Sequence, residues 1–369
     1  MTKVIVGISG GVDSAVSAYL LQQEGYEVEG LFMRNWDATL NNDINGNPTL
    51  NSNICPQEQD YNDAKELCNL LNIPLHRVDF IKEYWDYVFT YFLEELKKGR
   101  TPNPDLLCNK YIKFDLFKKE ALKLGADKIA TGHYARIEGN RLLRGNDQNK
   151  DQTYFLAQLT PNQLKDVLFP VGHLTKAEVR EIAEKVKLNV AKKKDSTGIC
   201  FIGERHYQEF VQNYLKPNPG DIVNVETKEV IGRHNGLMNY TIGQRKNVGI
   251  SGFSERHYVC GKDVKANILY VAFKDTNEYL MSDECILEEV NIISATNPSF
   301  CTAKFRYRGE DYPVQIEYLE NNELKVKYPE GVKAVTPGQF CVLYLGEECI
   351  GSGIIKEVKK NNKKLWYLM

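Results

Sequence analysis

One short stretch near the start of the chain, Ser9–Ser14, constrains the possible folds more than any other. It contains two adjacent glycines, follows the apolar run Val4–Ile8 and precedes a helical pattern that begins at Ala15. A strand, a tight glycine turn and a helix bring backbone N–H groups and a helix N-terminus to face one anion. The Gly-Lys-Ser/Thr ending of a Walker loop and the dinucleotide pattern Gly-x-Gly-x-x-Gly are both absent from it. The stretch therefore predicts a phosphate-binding loop of another type, with an ordinary glycine turn as the alternative.

Strands and helices alternate through the first part of the chain, which predicts an α/β fold with a doubly wound parallel sheet. Ligands in such Rossmann-like sheets bind outside the carboxyl ends of the strands, where Ser9–Ser14 would lie. Beyond residue 220, short β-rich runs separated by glycines predominate. They predict a small β-rich central module followed by a C-terminal β-barrel. We expect domains at residues 1–215, 216–280 and 281–369.

Two local patterns predict single elements. Thr175 and Glu178 have the spacing of a capping box, which predicts a helix that runs to about Val186. The stretch from Asn35 to Asn53 holds seven asparagines and predicts a long mobile loop that is too polar to pack.

The composition is that of a globular protein, with 42% hydrophobic and 26% charged residues in a chain of 369. The net charge of −2 argues against a protein that coats nucleic acid nonspecifically, but it is compatible with a local basic face. A signal-peptide pattern and an apolar run of the roughly 18 residues that span a bilayer are both absent from the sequence, so we expect a cytoplasmic protein without membrane contact. The nine cysteines include no Cys-x-x-Cys pair, which argues against a zinc ribbon and gives no support for an iron–sulfur site.

The segment Gly99–Asn109 is the second informative stretch. Two prolines within three residues fix a rigid, extended path, so that Asn103 and Asp105 are held in place. Such rigidity suits groups that must meet a substrate base at hydrogen-bonding distance. Cys108 lies at a predicted helix start, where the helix field favours the thiolate and lowers the thiol pKa from about 8.5. A buried structural cysteine is the ordinary alternative.

The third informative stretch contains the triplet Lys192–Lys194 and, beyond a Ser-Thr-Gly turn, Cys200. A lysine triplet is usually a solvated surface, but a cysteine just beyond it has a positive, accessible setting that supports a thiolate. Cys108 and Cys200 are far apart in sequence and can meet only through the fold. Two such thiols near a phosphate site predict sulfur chemistry or a redox switch.

Eight motifs occur in order along the chain: Gly7–Ser14, Gly99–Asp105 with Cys108 and Asn109, Ala130–Arg136, Lys150–Gln152, Asp195–Gly203, Tyr240–Lys246, Phe305–Arg308 and Thr336–Gln339. Together they resemble the bacterial tRNA-specific 2-thiouridylases, a family of the ATP-pyrophosphatase loop superfamily. The resemblance extends over essentially the whole chain.

The resemblance implies ATP-dependent 2-thiolation of the wobble uridine of tRNA. ATP would adenylate the C2 oxygen with release of pyrophosphate, and sulfur carried as a persulfide on Cys200 would displace AMP. Cys108 would be the nucleophile that releases this sulfur, leaving a Cys108–Cys200 disulfide, and Asp105 is a candidate acid/base group. Mg²⁺ is inferred from the ATP chemistry. The implied partners are the tRNA anticodon loop and a cysteine desulfurase or sulfur-relay protein as the sulfur donor.

The resemblance also implies two sets of binding residues. The ATP contacts map to Gly7, Ile8, Ser9, Gly10, Gly11, Val12, Asp13, Ser14, Met33 and Gly132. The tRNA contacts map to Asn103, Pro104, Asp105, His133, Lys150, Asp151, Gln152, Arg306, Tyr307 and Gln339. Further basic candidates for phosphate contacts are Lys192–Lys194, Arg233, Arg245, Lys246 and Arg308. Ordinary alternatives are a packed core histidine for His133, a solvated loop residue for Lys150 and a surface strand residue for Arg306.

Two other classes of function stay open on the residues. One is a ligase or amidotransferase that adenylates a small molecule, which would need neither a second reactive cysteine nor RNA-binding β modules. The other is a non-catalytic nucleotide-binding redox sensor that uses Cys108 and Cys200. Release of pyrophosphate only in the presence of tRNA would favour the tRNA sulfurtransferase over both.

Overall fold

The computed structural model describes residues 1–50, 56–195, 198–200, 202–274 and 277–368. In its first part these residues form the strands β1 (Lys3–Gly7), β2 (Glu27–Arg34), β3 (Leu75–Asp79), β4 (Lys128–Ala130), β5 (Ala135–Glu138), β6 (Arg141–Arg144) and β7 (Val167–Leu168). A parallel sheet has the strand order β3-β2-β1-β4-β7. Val4, Ile5 and Val6 of the central β1 are fully buried, as expected where helices cover both faces of a parallel sheet. The α/β prediction is confirmed.

Most of the helices also belong to this first part. They are α1 (Val12–Gln23), α2 (Pro56–Leu71), α3 (Ile81–Tyr84), α4 (Thr90–Lys97), α5 (Pro104–Leu107), α6 (Phe117–Lys123), α7 (Thr153–Leu156), α8 (Pro161–Leu164), α9 (Lys176–Lys185) and α10 (Tyr207–Gln212). Two further segments, Trp85–Phe89 and Cys108–Leu116, are π-helical, so α5 and α6 are joined into one helical run. Short 3₁₀ turns lie at Pro170–His173, Leu237–Asn239 and Glu278–Leu280. None of the helices in the described residues is long and apolar enough to cross a membrane.

The predicted capping box opens α9. The Thr175 hydroxyl accepts a hydrogen bond from the Glu178 N–H at 3.3 Å, and the Glu178 carboxylate accepts one from the Thr175 N–H at 2.7 Å. These two bonds satisfy N–H groups that have no acceptor within the helix. The predicted helix start is confirmed.

Two β structures follow. The central sheet contains β8 (Gly220–Asn224), β9 (Val230–His234), β10 (His257–Asp263) and β11 (Ile268–Phe273), in the order β10-β11-β8-β9. The last part contains β12 (Met281–Ile292), β13 (Phe300–Lys304), β14 (Tyr312–Tyr318), β15 (Leu324–Lys333), β16 (Phe340–Leu345), β17 (Glu348–Lys360) and β18 (Lys363–Lys364). Strands β12 to β17 close into an antiparallel barrel because β12 pairs with both β15 and β17. The predicted β module and barrel are confirmed, whereas the domain boundaries after residues 215 and 280 stay predictions.

The hairpin of β5 and β6 joins the first part of the chain to the barrel. Leu143 of β6 pairs with Glu348 of β17, so the hairpin extends the barrel sheet. The Arg144 guanidinium reinforces this contact through a salt bridge with Asp311 at 2.6 Å. The barrel is therefore fixed against the part of the chain that carries the phosphate loop.

The Asn-rich stretch after β2 packs against its surroundings, so the expectation that it is too polar to pack is wrong. Trp36 is only 2% exposed, and its indole N–H donates to the fully buried carboxylate of Asp43 at 2.9 Å. Arg205 pairs with the same carboxylate at 2.7 Å. The Trp36 ring also meets Phe89 edge-on, with 4.8 Å between ring centroids. One aromatic side chain and one buried ion pair thus anchor a polar segment, whose residues 51–53 lie outside the described residues.

Candidate active site

The predicted phosphate loop lies between the end of β1 and the start of α1. Gly10 has a φ of 72°, and a Cβ atom there would lie 2.5 Å from the carbonyl oxygen of Asp60. The Ser9 N–H donates to the Ser14 hydroxyl at 3.2 Å, and this hydroxyl donates to the Gly11 carbonyl at 3.0 Å. The turn is therefore folded at the N-terminus of α1, whose first N–H groups have no acceptor within the helix. Backbone donors and the helix dipole together fit a phosphate group at this point.

The other predicted ATP residues lie along the same edge of the sheet. Gly132 follows β4, and a Cβ atom on it would lie 2.7 Å from the Ser14 nitrogen, so only glycine permits this close approach. Met33, which is 9% exposed, lies near the end of β2. Because β2 and β4 flank β1, the carboxyl ends of the three strands meet at one crevice. The fold brings the predicted residues together, and the residues present fit the phosphates of ATP.

Asp13 is held by side chains from two other elements. The Lys176 ammonium of α9 lies 2.7 and 2.9 Å from its two carboxylate oxygens, and the Tyr134 hydroxyl donates to it at 2.7 Å. Lys176 also pairs with Asp195 at 2.8 Å. Burial opposes ionisation of Asp195, but hydrogen bonds from Lys150 and Lys176 outweigh it and hold its pKa at about 2. The sequence does not reveal the part of Lys176, because nothing in its local sequence links it to the phosphate loop.

The fold brings the two predicted cysteines into contact. The Cys108 sulfur lies 3.8 Å from the Cys200 sulfur across 92 residues of sequence. The Cys200 N–H donates to an Asp105 carboxylate oxygen at 3.1 Å, and the Tyr84 hydroxyl donates to the Cys200 carbonyl at 2.8 Å. Because an S–S bond measures about 2.0 Å, a modest approach of the two sulfurs would form a disulfide.

The pKa of one of the two thiols differs from the expectation based on the sequence. Burial raises the pKa of Cys108 well above its usual range, so the expectation that the helix start lowers this pKa is wrong. Cys108 is fully buried, and the loss of hydration outweighs the helix field. The hydrogen bond from Cys108 lowers the pKa of Cys200, and the positive charge of Lys113 adds to this effect against burial. Cys200 is therefore the thiol that ionises first.

The cation beside Cys200 is Lys113 and not the lysine triplet. Lys193, in the middle of the triplet, forms salt bridges with Asp60, at 2.7 Å, and with Asp63. Lys113 comes from the π-helical segment that begins at Cys108 and hydrogen-bonds Cys200. A positive charge does lie beside Cys200, as expected, but it belongs to Lys113 and not to Lys192–Lys194.

The loop that carries the predicted base contacts is held by the barrel. The Thr101 N–H donates to the Pro337 carbonyl at 3.0 Å, and the Gln339 amide donates to the Thr101 carbonyl at 2.9 Å. Further along, the Asn103 side chain accepts a hydrogen bond from the Asp105 N–H and caps α5, in which Pro104 is the first residue. Asn103, Pro104, Asp105 and Gln339, predicted to contact tRNA, are thus brought together.

Burial affects the Asp105 carboxyl group directly. It raises the pKa of Asp105 against the opposing effects of the Cys200 N–H and of Lys113. A carboxyl group with a raised pKa exchanges protons closer to neutral pH, which suits the predicted acid/base role.

Three of the predicted tRNA contacts have their side chains engaged inside the protein. His133 is 8% exposed, hydrogen-bonds Thr131 at 2.7 Å, and has a pKa that burial lowers well below the usual range. Asp151 accepts hydrogen bonds from the Gly145 N–H and from Thr153, and the side-chain amide oxygen of Gln152 accepts one from the Tyr134 N–H. The remaining predicted contacts lie nearer the surface: Arg306 is exposed, Tyr307 packs on Phe155 and Lys150 pairs with Asp195.

The described residues contain no group of three or more His, Cys, Asp or Glu side chains that would hold a metal ion. The inferred use of Mg²⁺ stays a prediction, since Mg²⁺ in nucleotide sites is usually held by one or two carboxylates together with the substrate phosphates.

Three family models match successive parts of the chain. They are the tRNA methyl transferase HUP domain at residues 2–204, the tRNA methyl transferase PRC-barrel domain at residues 208–273 and the aminomethyltransferase β-barrel domain at residues 282–355. The fold and these three matches together define the class of protein. It is a tRNA-modifying enzyme with one α/β domain of the nucleotide-binding type and two β domains.

Relatives narrow this class to one family. The tRNA-specific 2-thiouridylase MnmA of Mycoplasma capricolum subsp. capricolum is 55% identical over 97% of this chain and 99% of the relative. The proteins of the same name from Mycoplasmopsis synoviae and Mycoplasmopsis pulmonis are 54% and 50% identical, over 99% and 100% of this chain and 98% and 100% of the relatives. The chain belongs to the tRNA-specific 2-thiouridylase family. The resemblance found in the motifs and the expected enzyme class, a tRNA sulfurtransferase, are confirmed.

Proposed function

We propose that this protein transfers sulfur to C2 of the wobble uridine of tRNA, with ATP consumed and AMP and pyrophosphate released. The observation that carries the proposal is the contact of the Cys108 and Cys200 sulfurs at 3.8 Å beside Asp105. An enzyme that only adenylated a small molecule would have no use for two thiols in contact. Membership of the 2-thiouridylase family supports the same substrate and the use of ATP.

The first step activates the uridine. Its C2 oxygen attacks the α-phosphorus of ATP, the bond from this phosphorus to the bridging oxygen breaks, and pyrophosphate leaves with the electron pair. Ser9–Ser14 would bind the leaving pyrophosphate through N–H groups and the helix dipole. Met33 would contact the adenine, and Gly132 would leave room for the nucleotide beside α1. Lys176 orients Asp13 at the edge of this site.

The second step loads sulfur. The Cys200 thiolate attacks the outer sulfur of a persulfide on a cysteine desulfurase or sulfur-relay protein. The donor's S–S bond breaks, its electron pair stays on the donor as a thiolate, and Cys200 becomes the persulfide. The lowered pKa of Cys200 supports this direction of transfer because the thiolate is the nucleophile.

The third step delivers sulfur to the base. The outer sulfur of the Cys200 persulfide attacks C2, the C2–O bond breaks, and AMP leaves. Cys108 gives up its proton, for which Asp105 is the candidate acceptor, and attacks the Cys200 sulfur. The S–S electron pair stays on the sulfur bound to C2, which leaves 2-thiouridine and a Cys108–Cys200 disulfide. A cellular dithiol then reduces this disulfide by two electrons.

The target base must leave the anticodon stack to reach this site. Flipping a base costs a few kcal/mol, and a single-stranded loop permits it more readily than a duplex. Asn103 and Pro104 would contact the flipped base, while basic side chains would bind phosphates without reading sequence. The candidate phosphate contacts remain Lys150, Lys192–Lys194, Arg233, Arg245, Lys246, Arg306 and Arg308, with His133, Asp151, Gln152, Tyr307 and Gln339 as further tRNA contacts.

The proposal is tested by incubating the full chain with ATP, tRNA, a cysteine desulfurase and cysteine. We expect mass spectrometry of the tRNA nucleosides to detect 2-thiouridine, and pyrophosphate to be released only when tRNA is present. Cys200→Ser should reduce 2-thiouridine to background and retain ATP binding. Cys301→Ser, in the barrel, is the matched control and should behave like the wild type. Unchanged 2-thiouridine with Cys200→Ser, or pyrophosphate release without tRNA, would contradict the proposal.

A further inference from the structure

Lys113 follows Cys108 by five residues on the same helical run. In an α-helix a residue five positions further on lies about 140° around the axis, because each residue advances about 100°. The segment Cys108–Leu116 is instead π-helical, with hydrogen bonds between residues five apart, so Lys113 comes back close to the Cys108 side. Such π-helical insertions often occur at functional sites. Lys113 therefore lies on the side of this helical run that faces the two sulfurs.

The ammonium group of Lys113 reaches the Cys200 sulfur. It hydrogen-bonds this sulfur, and its charge also acts on Cys108 and Asp105. The attraction of these three groups outweighs burial and raises the pKa of Lys113, so its positive charge is retained.

The other described titratable groups around Cys200 and Lys113 supply no positive charge. Asp105 and Cys108 lie on the same helical run, Tyr84 approaches from α3, and His133 lies in the loop after β4. Burial keeps His133 neutral by lowering its pKa and keeps Tyr84 neutral by raising its pKa. Of the described groups whose charge acts on the Cys200 sulfur, Lys113 is the positive one and Asp105 opposes it.

We propose that Lys113 is a further functional residue, whose ammonium group stabilises the Cys200 sulfur as an anion and orients it toward the sulfur donor. The same contact would stabilise the outer sulfur of the persulfide after loading. This inference rests on the proposed role of Cys200 as sulfur carrier. The ammonium group itself is neither consumed nor deprotonated in the transfer.

The test measures the ionisation of Cys200 in the full chain without tRNA, ATP or a sulfur donor. Cys200 is alkylated with iodoacetamide across a pH series, and its rate is followed by mass spectrometry of the Cys200 peptide. Lys113→Gln should move the midpoint of this profile upward by at least one pH unit and slow alkylation at pH 7 about tenfold or more. Lys113→Arg keeps the charge and should restore most of the rate.

Lys110→Gln is the matched control. Lys110 lies three residues earlier on the same segment, but its ammonium group donates a hydrogen bond to the side-chain oxygen of Gln158 at 3.0 Å. It should leave the Cys200 profile unchanged. If thermal melting shows that Lys113→Gln does not fold, Lys113→Met removes the charge with an apolar stem of similar length and answers the same question. A Cys200 midpoint in Lys113→Gln or Lys113→Met equal to that of the wild type would overturn the inference.

The two proposals fail in different ways. If Cys200 alkylation shifts as expected but no 2-thiouridine forms with the wild-type protein, the proposed function is wrong and the charge effect of Lys113 stands. If 2-thiouridine forms normally with Lys113→Gln and the alkylation midpoint is unchanged, Lys113 has no such role and the proposed function stands.

Discussion

Cys200 ionises before Cys108 because the deeper thiol donates a hydrogen bond to it while remaining fully buried itself. The half-buried Cys200 is therefore the more acidic thiol of the pair, and the less acidic Cys108 lies behind it. A donor persulfide would meet the more reactive sulfur first. In the proposed mechanism Cys108 acts only after Cys200 has received sulfur, because its raised pKa makes it the weaker nucleophile of the two thiols at rest. The order of the two proposed sulfur steps thus follows from the burial of one residue.

Single residues differed in how far the sequence revealed them. Ser9–Ser14 and the two cysteines lie within contiguous motifs, so their sequence neighbours identify them. Lys113 and Lys176 act on groups that are near only in the folded chain. An α-helical period would also have turned Lys113 away from Cys108, so its part required the π-helical geometry to be seen.

Gly132→Ala is expected to weaken ATP binding about tenfold or more, since the new Cβ would meet the Ser14 nitrogen at 2.7 Å and push the loop after β4 from the start of α1. Isothermal titration with ATP measures the affinity. Gly232→Ala is the control, because the nearest atom to its added Cβ lies at an ordinary 3.5 Å. Equal ATP affinities of the two variants would show that the close approach of Gly132 does not shape the site.

Among the secondary-structure elements, those with strong local signals were predictable. The apolar run of β1 and the capping box of α9 are examples, and both are present in the structure. The long strands β12 and β17 have no clear sequence pattern, because bulges interrupt their pairing and therefore their alternation of apolar and polar residues. Edge pairing of β6 with β17 has no local signal at all, since the partners lie in different domains.

Thr175→Ala removes the cap of α9, the helix whose first residue, Lys176, holds Asp13. Losing an N-cap hydroxyl costs about 1 kcal/mol, so we expect a small drop in melting temperature. Because the first turn of α9 would fray, ATP affinity should also fall by a few-fold. Thr175→Ser keeps the capping oxygen and should match the wild type in differential scanning calorimetry and ATP titration. If Thr175→Ser lowered the melting temperature as much as Thr175→Ala, the effect would come from packing and not from capping.

At the scale of the whole molecule, all three parts of the chain meet beside the loop that precedes α5. Arg100 pairs with Glu288 of the barrel at 2.7 Å, and Thr101 bonds the barrel turn at Pro337. From the other side, Lys262 of the central sheet donates to the Gly99 carbonyl at 2.9 Å. The predicted base-contact loop is therefore shaped by both β domains. None of these contacts has a sequence signature, because each joins residues more than a hundred positions apart.

Lys262→Met is expected to alter the pH dependence of stability, because burial lowers the pKa of Lys262 from 10.5 to about 7. Between pH 7 and 10.5 the unfolded chain holds a proton that the folded chain lacks, so this group makes the free energy of unfolding rise with pH by about 1.4 kcal/mol per unit. The variant lacks this slope. Its melting temperature relative to that of the wild type should be highest at pH 7 and fall steadily toward pH 10, whatever constant amount the lost bond to Gly99 costs. Lys265→Met, at an exposed position of the same sheet, should keep the wild-type slope, and a parallel pH profile for Lys262→Met would mean that the buried ammonium stays charged at the interface.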